Sequence, residues 1–166
     1  MVLLALSHEL APARLAVVQE NCAWLQHWFT WCHHPYLKSS NEAFVQQAVY
    51  RHQRQTGAYF ALMCQQQYLG EIAIDACCQG TQGGNVYYWV GARHQCKGYA
   101  QKALQCLTIW ARGHMALGHL QVIAEQGNVA SNVVARRAGA QLVATRADFC
   151  TSLGRITTVN EYHITL

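Results

Sequence analysis

The segment from Gln95 to Ala100 has the residue types and spacing of a turn that binds an anion. The pattern Gln95-x-x-Gly98-x-Ala100 carries little side-chain bulk at its two critical points, and Lys97 adds a positive charge nearby. Because a helical pattern follows, we expect successive N–H groups of the turn to point into one concavity at the positive end of the helix dipole. Such a site suits a pyrophosphate.

The residues on either side predict the elements that position this turn. Residues 87–90, Tyr-Tyr-Trp-Val, are aromatic or β-branched, which is typical of a half-buried strand. Beyond the turn, the apolar residues shift to helical spacing, at Ala103, Leu104, Leu107, Ala111 and Met115. The turn is therefore predicted to join a strand to a long helix.

This strand, turn and helix resemble the acetyl-CoA-binding motif of the GNAT family of N-acetyltransferases, which reads Gln/Arg-x-x-Gly-x-Gly/Ala. Residues 128–140 are similar to the Asn-x-x-Ser segment and following helix of the same family. Upstream, residues 21–28 together with Trp31 resemble the branch that acetylates the N-termini of ribosomal proteins, in particular the ribosomal-protein-serine acetyltransferase. The likeness extends from about residue 8 to the end of the sequence.

The resemblance implies acetyl-CoA as the acetyl donor and no metal. It also implies that the motif strand bulges and splays at its end, so that main-chain groups face the pantetheine arm and a freed N–H binds the thioester oxygen. Asn128 would bind the pantetheine amides, and the turn would bind the diphosphate through its backbone. The cofactor-binding residues implied in this way are Trp89, Val90, Gly91, Gln95, Cys96, Lys97, Gly98, Tyr99, Ala100, Asn128 and Ser131.

The catalytic residues implied by the resemblance are Ser131, Glu125 and Glu71. Ser131 would protonate the departing thiolate, although Asn128 and Ser131 both also favour helix N-termini and a capping role is compatible with this one. Glu125, at the end of a strand, and Glu71, at the start of another, are the candidate bases. A water chain is the alternative, because an α-amino group has a pKa near 8 and is partly neutral. Tyr162 is a further candidate acid.

The aromatic segment Trp24, Trp28, Phe29 and Trp31 has two readings. Trp24 and Trp28 are four residues apart and would share one helical face in an ordinary core. In the family this segment forms the wall of an acceptor groove, which makes Trp28 and Trp31 candidate substrate-binding residues. The predicted acceptor is the N-terminal α-amino group of a protein, with ribosomal proteins as the suggested class. The alternatives are a small amine (polyamine, amino acid or aminoglycoside) and a module that binds acetyl-CoA without turnover.

Composition limits the classes of protein and partner. The sequence has 166 residues, which predicts one domain spanning 1–166, and with 12% charged residues it is globular. The formal charge is +4 without a Lys/Arg run, so no nucleic-acid partner is predicted. No apolar run has membrane-spanning length, and residues 1–6 are too short for a signal peptide. A cytoplasmic location is expected; oligomeric state stays open, with a homodimer as one alternative.

The eight cysteines do not indicate a metal site or a disulfide framework. Cys77 and Cys78 are adjacent, and no Cys-x-x-Cys pair occurs in the sequence. Cys32-His33-His34 is the densest group of metal-ligand types, but adjacent residues do not readily converge on one ion. Most of the thiols are therefore expected to be small core residues in a reducing cytosol.

The remaining patterns predict a mixed α/β fold with a mostly antiparallel sheet flanked by helices, and the resemblance adds that this sheet is splayed at its centre. Besides the motif strand, strands are expected at residues 2–6, 58–64, 68–76, 120–124, 141–146 and 156–165, with helices from residue 10, at 39–55, from 100 and at 130–138. Ser39 and Glu42 are expected to form a capping box. Residues 78–85 are expected to form a loop, and Asn132 is expected to face solvent.

Overall fold

The computed structural model describes residues 1–76 and 83–166. In chain order, the strands and α-helices of these ranges are β1 (Val2–Ala5), α1 (Ala11–Leu25), α2 (Lys38–Gln53), β2 (Gly57–Cys64), β3 (Gln67–Ala76), β4 (Gly83–Val90), α3 (Tyr99–His114), β5 (His119–Glu125), α4 (Val129–Arg137), β6 (Gln141–Cys150) and β7 (Ile156–Thr165). No helix within the two ranges is both long enough and apolar enough to cross a membrane.

The described strands form one sheet in the order β1-β2-β3-β4-β5-β7-β6. The β4–β5 pair is parallel, and the other neighbouring strands are antiparallel. Among the described residues, β4 and β5 pair only from Gly83 with His119 to Asn85 with Gln121, after which the two strands diverge. The prediction of a mostly antiparallel sheet that splays at its centre is confirmed.

The half of the sheet formed by β1 to β4 is covered on both faces. Alternate side chains of β2 show this, because Phe60 and Leu62 pack into the core beneath α3, whereas Tyr59 and Ala61 pack into the core beneath α1 and α2. A strand covered on both faces reads as a continuous apolar run rather than as an alternating one. The two cores together fix the position of β4.

The half of the sheet formed by β5, β7 and β6 is different, because its two faces have different chemistry. On one face, Leu120 and Tyr162 pack in the same core as α3 and α4. On the other face, Gln121, Glu161 and His163 form a hydrogen-bonded polar cluster. The half formed by β1 to β4 and the half formed by β5, β7 and β6 meet where β4 and β5 separate.

The predicted capping box at Ser39 and Glu42 is wrong. Helix α2 begins at Lys38, and the residue before it provides no side-chain hydrogen bond to the helix. Glu42 instead forms an exposed ion pair with Lys38, with 3.7 Å between Oε1 and Nζ. The start of the helix is fixed from inside the protein, because the buried Asn41 donates from Nδ2 to the carbonyl of Ala11.

Other predicted boundaries shift at the ends of elements. Helix α2 ends at Gln53 rather than at residue 55, and β2 opens at Gly57, one residue before its predicted start. Strand β6 continues to Cys150, beyond the predicted end at residue 146. Of the loop predicted at 78–85, residues 83–85 belong to β4, and residues 78–82 lie outside the described residues.

The expectation that most thiols are core residues is wrong for the described cysteines. Cys22 and Cys32 are buried, whereas Cys96 and Cys150 are exposed. The remaining described cysteines are partly buried. Residues 77 and 78 lie outside the described residues.

Candidate active site

A cleft of about 1070 Å³ opens where β4 and β5 separate. Its walls come from the end of β4, the turn that follows, the first turn of α3, the end of β5 and the start of α4. Trp24, Trp28 and Phe29 add an aromatic section to the wall. Because diverging strands leave main-chain groups unpaired on their facing edges, the cleft presents backbone donors and acceptors as well as side chains.

The predicted anion-binding turn lies on this cleft, and all of its residues except Lys97 are among the lining residues. Gly98 is the N-cap of α3 and has φ +77°, a left-handed conformation that glycine adopts without strain. A Cβ at Gly98 would meet no protein atom within 4 Å, so the backbone conformation rather than crowding within the protein requires glycine here. Cys96 also has a positive φ, 58°.

The backbone amides of this turn are available to a ligand. In the described part of the chain, the N–H groups of residues 96–100 donate to no protein acceptor. The amides at the start of a helix carry the positive end of its dipole. Lys97 lies beside the turn rather than in the cleft, since its exposed Nζ donates to the carbonyl of Arg93 at 3.1 Å.

The end of β4 exposes an amide of Val90 toward the cleft. The N–H of Gly91 donates to the carbonyl of Leu69 at 2.8 Å, so the amide of Gly91 itself is already paired. Because N–H groups alternate in direction along a strand, the N–H of Val90 points to the opposite edge, where β5 has diverged. The β3–β4 register runs from Gly84 to Val90 without a shift, so the bulge expected in this stretch is absent and the splay alone frees the amide.

Asn21 connects the aromatic wall to the segment between β4 and the anion-binding turn, a role that sequence reasoning missed. Its Oδ1 accepts from the amide of Ala92 at 2.8 Å and from Nε1 of Trp24 at 3.1 Å. Its Nδ2 donates to the carbonyl of Val17 at 2.7 Å. The close approach also explains Gly91, where a Cβ would lie 3.3 Å from Nδ2 of Asn21.

Asn128 and Ser131 both line the cleft at the start of α4. Asn128 is the N-cap, and its Oδ1 accepts from the amide of Ser131 at 3.1 Å, so the capping role is present. The hydroxyl of Ser131 is 3.1 Å from the phenol oxygen of Tyr88, a residue that the sequence pattern identified only as part of a strand. Capping by Asn128 therefore leaves the Ser131 hydroxyl on the cleft wall.

The prediction that Asn132 faces solvent is wrong, because this side chain is 4% exposed. Its Nδ2 donates to the carbonyls of Glu125 and Asn128, and its Oδ1 accepts from Asn160 and Tyr162. Asn132 thus ties the end of β5 to α4 and β7. Tyr162 is fully buried in this network and does not line the cleft, so its role as an acid stays a prediction without geometric support.

Glu125 is the last residue of β5 and lines the cleft. Its Oε1 accepts from Nη2 of Arg155 at 2.5 Å, and the two side chains are 21% and 34% exposed. Among the described residues, only Arg155 donates to this carboxylate, which leaves Oε2 for another donor. Because the Arg155 guanidinium lies 5.9 Å from the ring centroid of Trp28, the carboxylate, the guanidinium and the indole form one continuous edge.

The prediction that Glu71 lies at the start of a strand is wrong, because it lies inside β3. The residue is 3% exposed, and it does not line the cleft. Its Oε1 accepts from Arg14 at 2.5 Å and from Tyr68 at 2.5 Å, and its Oε2 accepts from Arg14 at 3.5 Å and from Trp89 at 3.1 Å. Four donor contacts leave no oxygen for a substrate proton, so its catalytic role stays a prediction without geometric support.

The two tryptophans predicted to bind substrate occupy different surroundings. Trp28 is on the cleft wall. Trp31 packs behind that wall, with its ring centroid 4.9 Å from the Arg14 guanidinium and 6.4 Å from the ring of Trp89. The geometry therefore favours Trp28 as a contact residue and Trp31 as its support.

The groups in this cleft fit an acyl-CoA thioester. Free amides at the positive end of a helix suit a diphosphate. The unpaired edges of β4 and β5 suit the amide-bearing pantetheine arm, and the Val90 amide suits a developing oxyanion. Ser131 and Glu125 place a hydroxyl and a carboxylate in the same cleft, group types that can donate and accept a proton.

Comparison with known proteins agrees with this geometry. The model of the Acetyltransferase (GNAT) domain family matches residues 2–141. No curated protein sequence matches the chain at a significant level.

Several solved structures share the fold. The ribosomal L7/L12 α-N-protein acetyltransferase RimL in complex with coenzyme A is 24% identical, with a TM-score of 0.90 over 99% of this chain and 93% of that chain. An acetyltransferase that modifies the N-terminal serine of ribosomal protein L7/L12 in Salmonella typhimurium is 24% identical, with a TM-score of 0.86 over 99% and 94%. The microcin self-immunity acetyltransferase MccE, in complex with acetyl-CoA and AMP, is 18% identical, with a TM-score of 0.89 over 99% and 91%.

The family match covers far more than half of the sequence, and it includes the strand, turn and helix around Gly98 and the segment of Asn128 and Ser131. The chain therefore belongs to the GNAT acetyltransferase family and is an acyltransferase whose acetyl donor is acetyl-CoA.

Proposed function

We propose that this enzyme acetylates the N-terminal α-amino group of a protein, with ribosomal proteins as the leading acceptor class. The observation that carries the proposal is that Trp28, Val90, Glu125 and Ser131 line one cleft, with Arg155 beside it in contact with Glu125 and Trp28. The solved structures named for ribosomal-protein acetylation support the acceptor class by their similarity of fold. The proposal implies a cytoplasmic location, where acetyl-CoA and ribosomal proteins meet.

In the proposed reaction, each residue handles one charge or proton. The turn at residues 96–100 binds the diphosphate through free amides, and Asn128 faces the pantetheine arm. The Val90 N–H binds the thioester oxygen, which becomes negatively charged as the amine attacks. Glu125 accepts the proton that the amine loses through Oε2, which no group in the described part of the chain contacts as a donor. Ser131 donates toward the sulfur as the carbon–sulfur bond breaks.

A peptide N-terminus suits the acceptor side of the cleft better than a polycation does. Trp24, Trp28 and Phe29 offer flat apolar surface, against which a short peptide side chain can pack. The negative charge of Glu125 is balanced by Arg155. This edge therefore offers an acceptor oxygen of Glu125 without a net negative charge. A small polyamine would need several unpaired carboxylates for its several ammonium groups.

The test measures thiol release and product mass with acetyl-CoA and a panel of acceptors. The panel contains peptides with N-terminal serine, alanine and methionine, the same peptides with blocked N-termini, spermidine, free amino acids and an aminoglycoside. We expect acetylation of the free peptides and no reaction of the blocked ones. Preferential turnover of a small amine would contradict the acceptor class, and binding of acetyl-CoA with no product from any acceptor would contradict the enzymatic role.

A further inference from the structure

Tyr88 is the side chain that crosses the splayed part of the sheet to reach Ser131. It lies on β4 beyond Asn85, the last residue that pairs with β5, and its phenol lines the cleft. Its Oη is 3.1 Å from Oγ of Ser131 and 3.1 Å from the carbonyl oxygen of Ser131. The phenol therefore spans the gap between β4 and α4 at the candidate proton donor.

The hydrogen-bond count at this contact limits where the Ser131 proton can point. A phenol and a serine hydroxyl each carry one proton. In the described residues, Tyr88 Oη is the only side-chain group that bonds the Ser131 hydroxyl. The single phenol proton lies within reach of two acceptors, the carbonyl oxygen of Ser131 and its Oγ, and either oxygen of the Oη–Oγ contact can be the donor. In the arrangement in which the phenol donates to Oγ, the serine proton points away from Tyr88 and is available to the cleft.

The protonation state of Tyr88 allows this donation at working pH. Burial raises the pKa of the Tyr88 phenol to about 12, and this outweighs the opposing effect of the contact with Ser131. The phenol is therefore neutral and a hydrogen-bond donor throughout the range in which an α-amino acceptor reacts. A hydroxyl that accepts one hydrogen bond also donates more strongly to the next group.

We propose that Tyr88 is the positioning residue for Ser131, donating to its Oγ so that the serine proton is directed at the sulfur of the bound thioester. The proposal rests on the proton-donor role given to Ser131 above. It predicts that removal of the phenol hydroxyl acts on the chemical step through Ser131 and leaves acetyl-CoA binding intact. If Tyr88 only supported the fold, removal of its hydroxyl would instead lower protein stability and the affinity for acetyl-CoA.

The experiment compares wild type with Tyr88→Phe, Ser131→Ala and the double variant. Acetyl-CoA affinity is measured by calorimetry, and turnover by thiol release with the best acceptor peptide or, if none reacts, with water as the acceptor. We expect Tyr88→Phe to lower kcat by about 10-fold and Ser131→Ala by about 100-fold, with Kd for acetyl-CoA within about twofold of wild type. The double variant should be no slower than Ser131→Ala alone, because the two residues act as one unit. Tyr50→Phe, on the outer face of α2 and 58% exposed, is the matched control with wild-type kinetics.

Crystal structures of wild type and Tyr88→Phe give a second readout that needs no acceptor. We expect a single Ser131 rotamer in wild type and several in the variant. Three results would overturn the proposal: an unchanged kcat in Tyr88→Phe, additive losses in the double variant, or a loss of acetyl-CoA affinity that parallels a loss of stability. If Tyr88→Phe lowered kcat while Ser131→Ala left kcat unchanged, both the proposal and the donor role of Ser131 would be contradicted. The assignment of the family would not be affected.

Discussion

Two ion pairs between arginine and glutamate have the same contact distance and opposite surroundings. In Arg14–Glu71 the closest nitrogen and oxygen are 2.5 Å apart, and the side chains are 0% and 4% exposed. In Arg155–Glu125 the distance is also 2.5 Å, but the side chains are 34% and 21% exposed. The number of further donors separates them, because among the described residues Glu71 accepts on both carboxylate oxygens and Glu125 accepts on one. The same pair of residue types is therefore enclosed and fully hydrogen-bonded in one place, and in the other it lies on the cleft with one carboxylate oxygen that accepts from no donor among the described residues.

The buried pair organises the covered half of the sheet. Arg14 on α1 donates to Asn41 on α2, at 2.7 Å, and to Glu71 on β3, which in turn accepts from Trp89 on β4. Burial by itself disfavours the charged guanidinium, but Glu71 and the neighbouring phenol of Tyr36 outweigh it and raise the pKa of Arg14. The network therefore keeps its charges and joins four elements behind the wall of the cleft.

The largest expected effect comes from breaking the buried pair. Arg14→Met leaves the Glu71 carboxylate buried without its cation, and we expect a loss of about 3–5 kcal/mol in the free energy of unfolding. Urea denaturation measures it. The double variant Arg14→Met, Glu71→Leu removes both charges and should recover most of the loss. A decrease of less than about 1 kcal/mol in the free energy of unfolding of Arg14→Met would show that water reaches the Glu71 carboxylate.

The second effect tests the exposed pair through activity. Glu125→Gln keeps the size of the side chain but removes the proton acceptor, so we expect kcat to fall by about 100-fold with little change in Tm. Steady-state kinetics with the acceptor peptide and thermal unfolding measure the two quantities. Glu42→Gln, which disrupts the exposed pair with Lys38, is the control and should leave both unchanged. Equal kcat in Glu125→Gln and wild type would leave a water chain as the route for the amine proton.

The third effect concerns the phenol between the two halves of the sheet. The pKa of Tyr88 is about 12 in the folded protein, above the ordinary value of 10, so the folded state holds its proton more tightly than the unfolded state. This stabilisation is complete below pH 10 and is lost as the pH rises through 12. Between pH 9 and pH 11 we expect wild type to lose on the order of 1 kcal/mol that Tyr88→Phe does not lose. Urea denaturation at pH 9 and pH 11 compares the two, and parallel losses would contradict the burial of the phenol.

The smallest effect tests the turn that we propose binds the diphosphate. Gly98→Ala forces a side chain into φ +77°, and we expect a loss of about 1 kcal/mol in stability and about 10-fold in acetyl-CoA affinity. Gly113→Ala, in α3 and equally uncrowded, has no positive φ and should be neutral or slightly stabilising. Calorimetry with acetyl-CoA and thermal unfolding measure both variants. Equal acetyl-CoA affinities in Gly98→Ala and Gly113→Ala would contradict a role of the turn in binding the diphosphate.

Local patterns predicted the elements around the site better than they predicted the contacts between them. The shift from aromatic strand to helical spacing around Gly98 correctly located the end of β4, the turn and α3, because those signals lie within a few residues of one another. The splay of β4 from β5 came from the family resemblance, since period and composition do not encode the divergence of two strands. The capping box at Ser39 failed because the start of α2 is set by the buried Asn41, a tertiary contact.

The two carboxylates were indistinguishable in sequence because their partners are distant. Arg14 is 57 residues from Glu71, and Arg155 is 30 residues from Glu125. The sequence does contain one indication that Arg14 is buried. Arg14 shares its helical face with Val18, Cys22 and Leu25, all of which are buried. A charged residue on an apolar face requires a buried counter-charge, and β3 offers Glu71 among its apolar residues.

The most direct test of the account compares the two glutamates in one assay. Single-turnover acetyl transfer is measured for Glu125→Gln and Glu71→Gln at saturating acetyl-CoA, with each rate divided by the folded fraction of the same sample. The account predicts that Glu125→Gln loses most of its rate and that folded Glu71→Gln keeps a rate near that of wild type. The reverse result, an active Glu125→Gln and a folded but inactive Glu71→Gln, would contradict it.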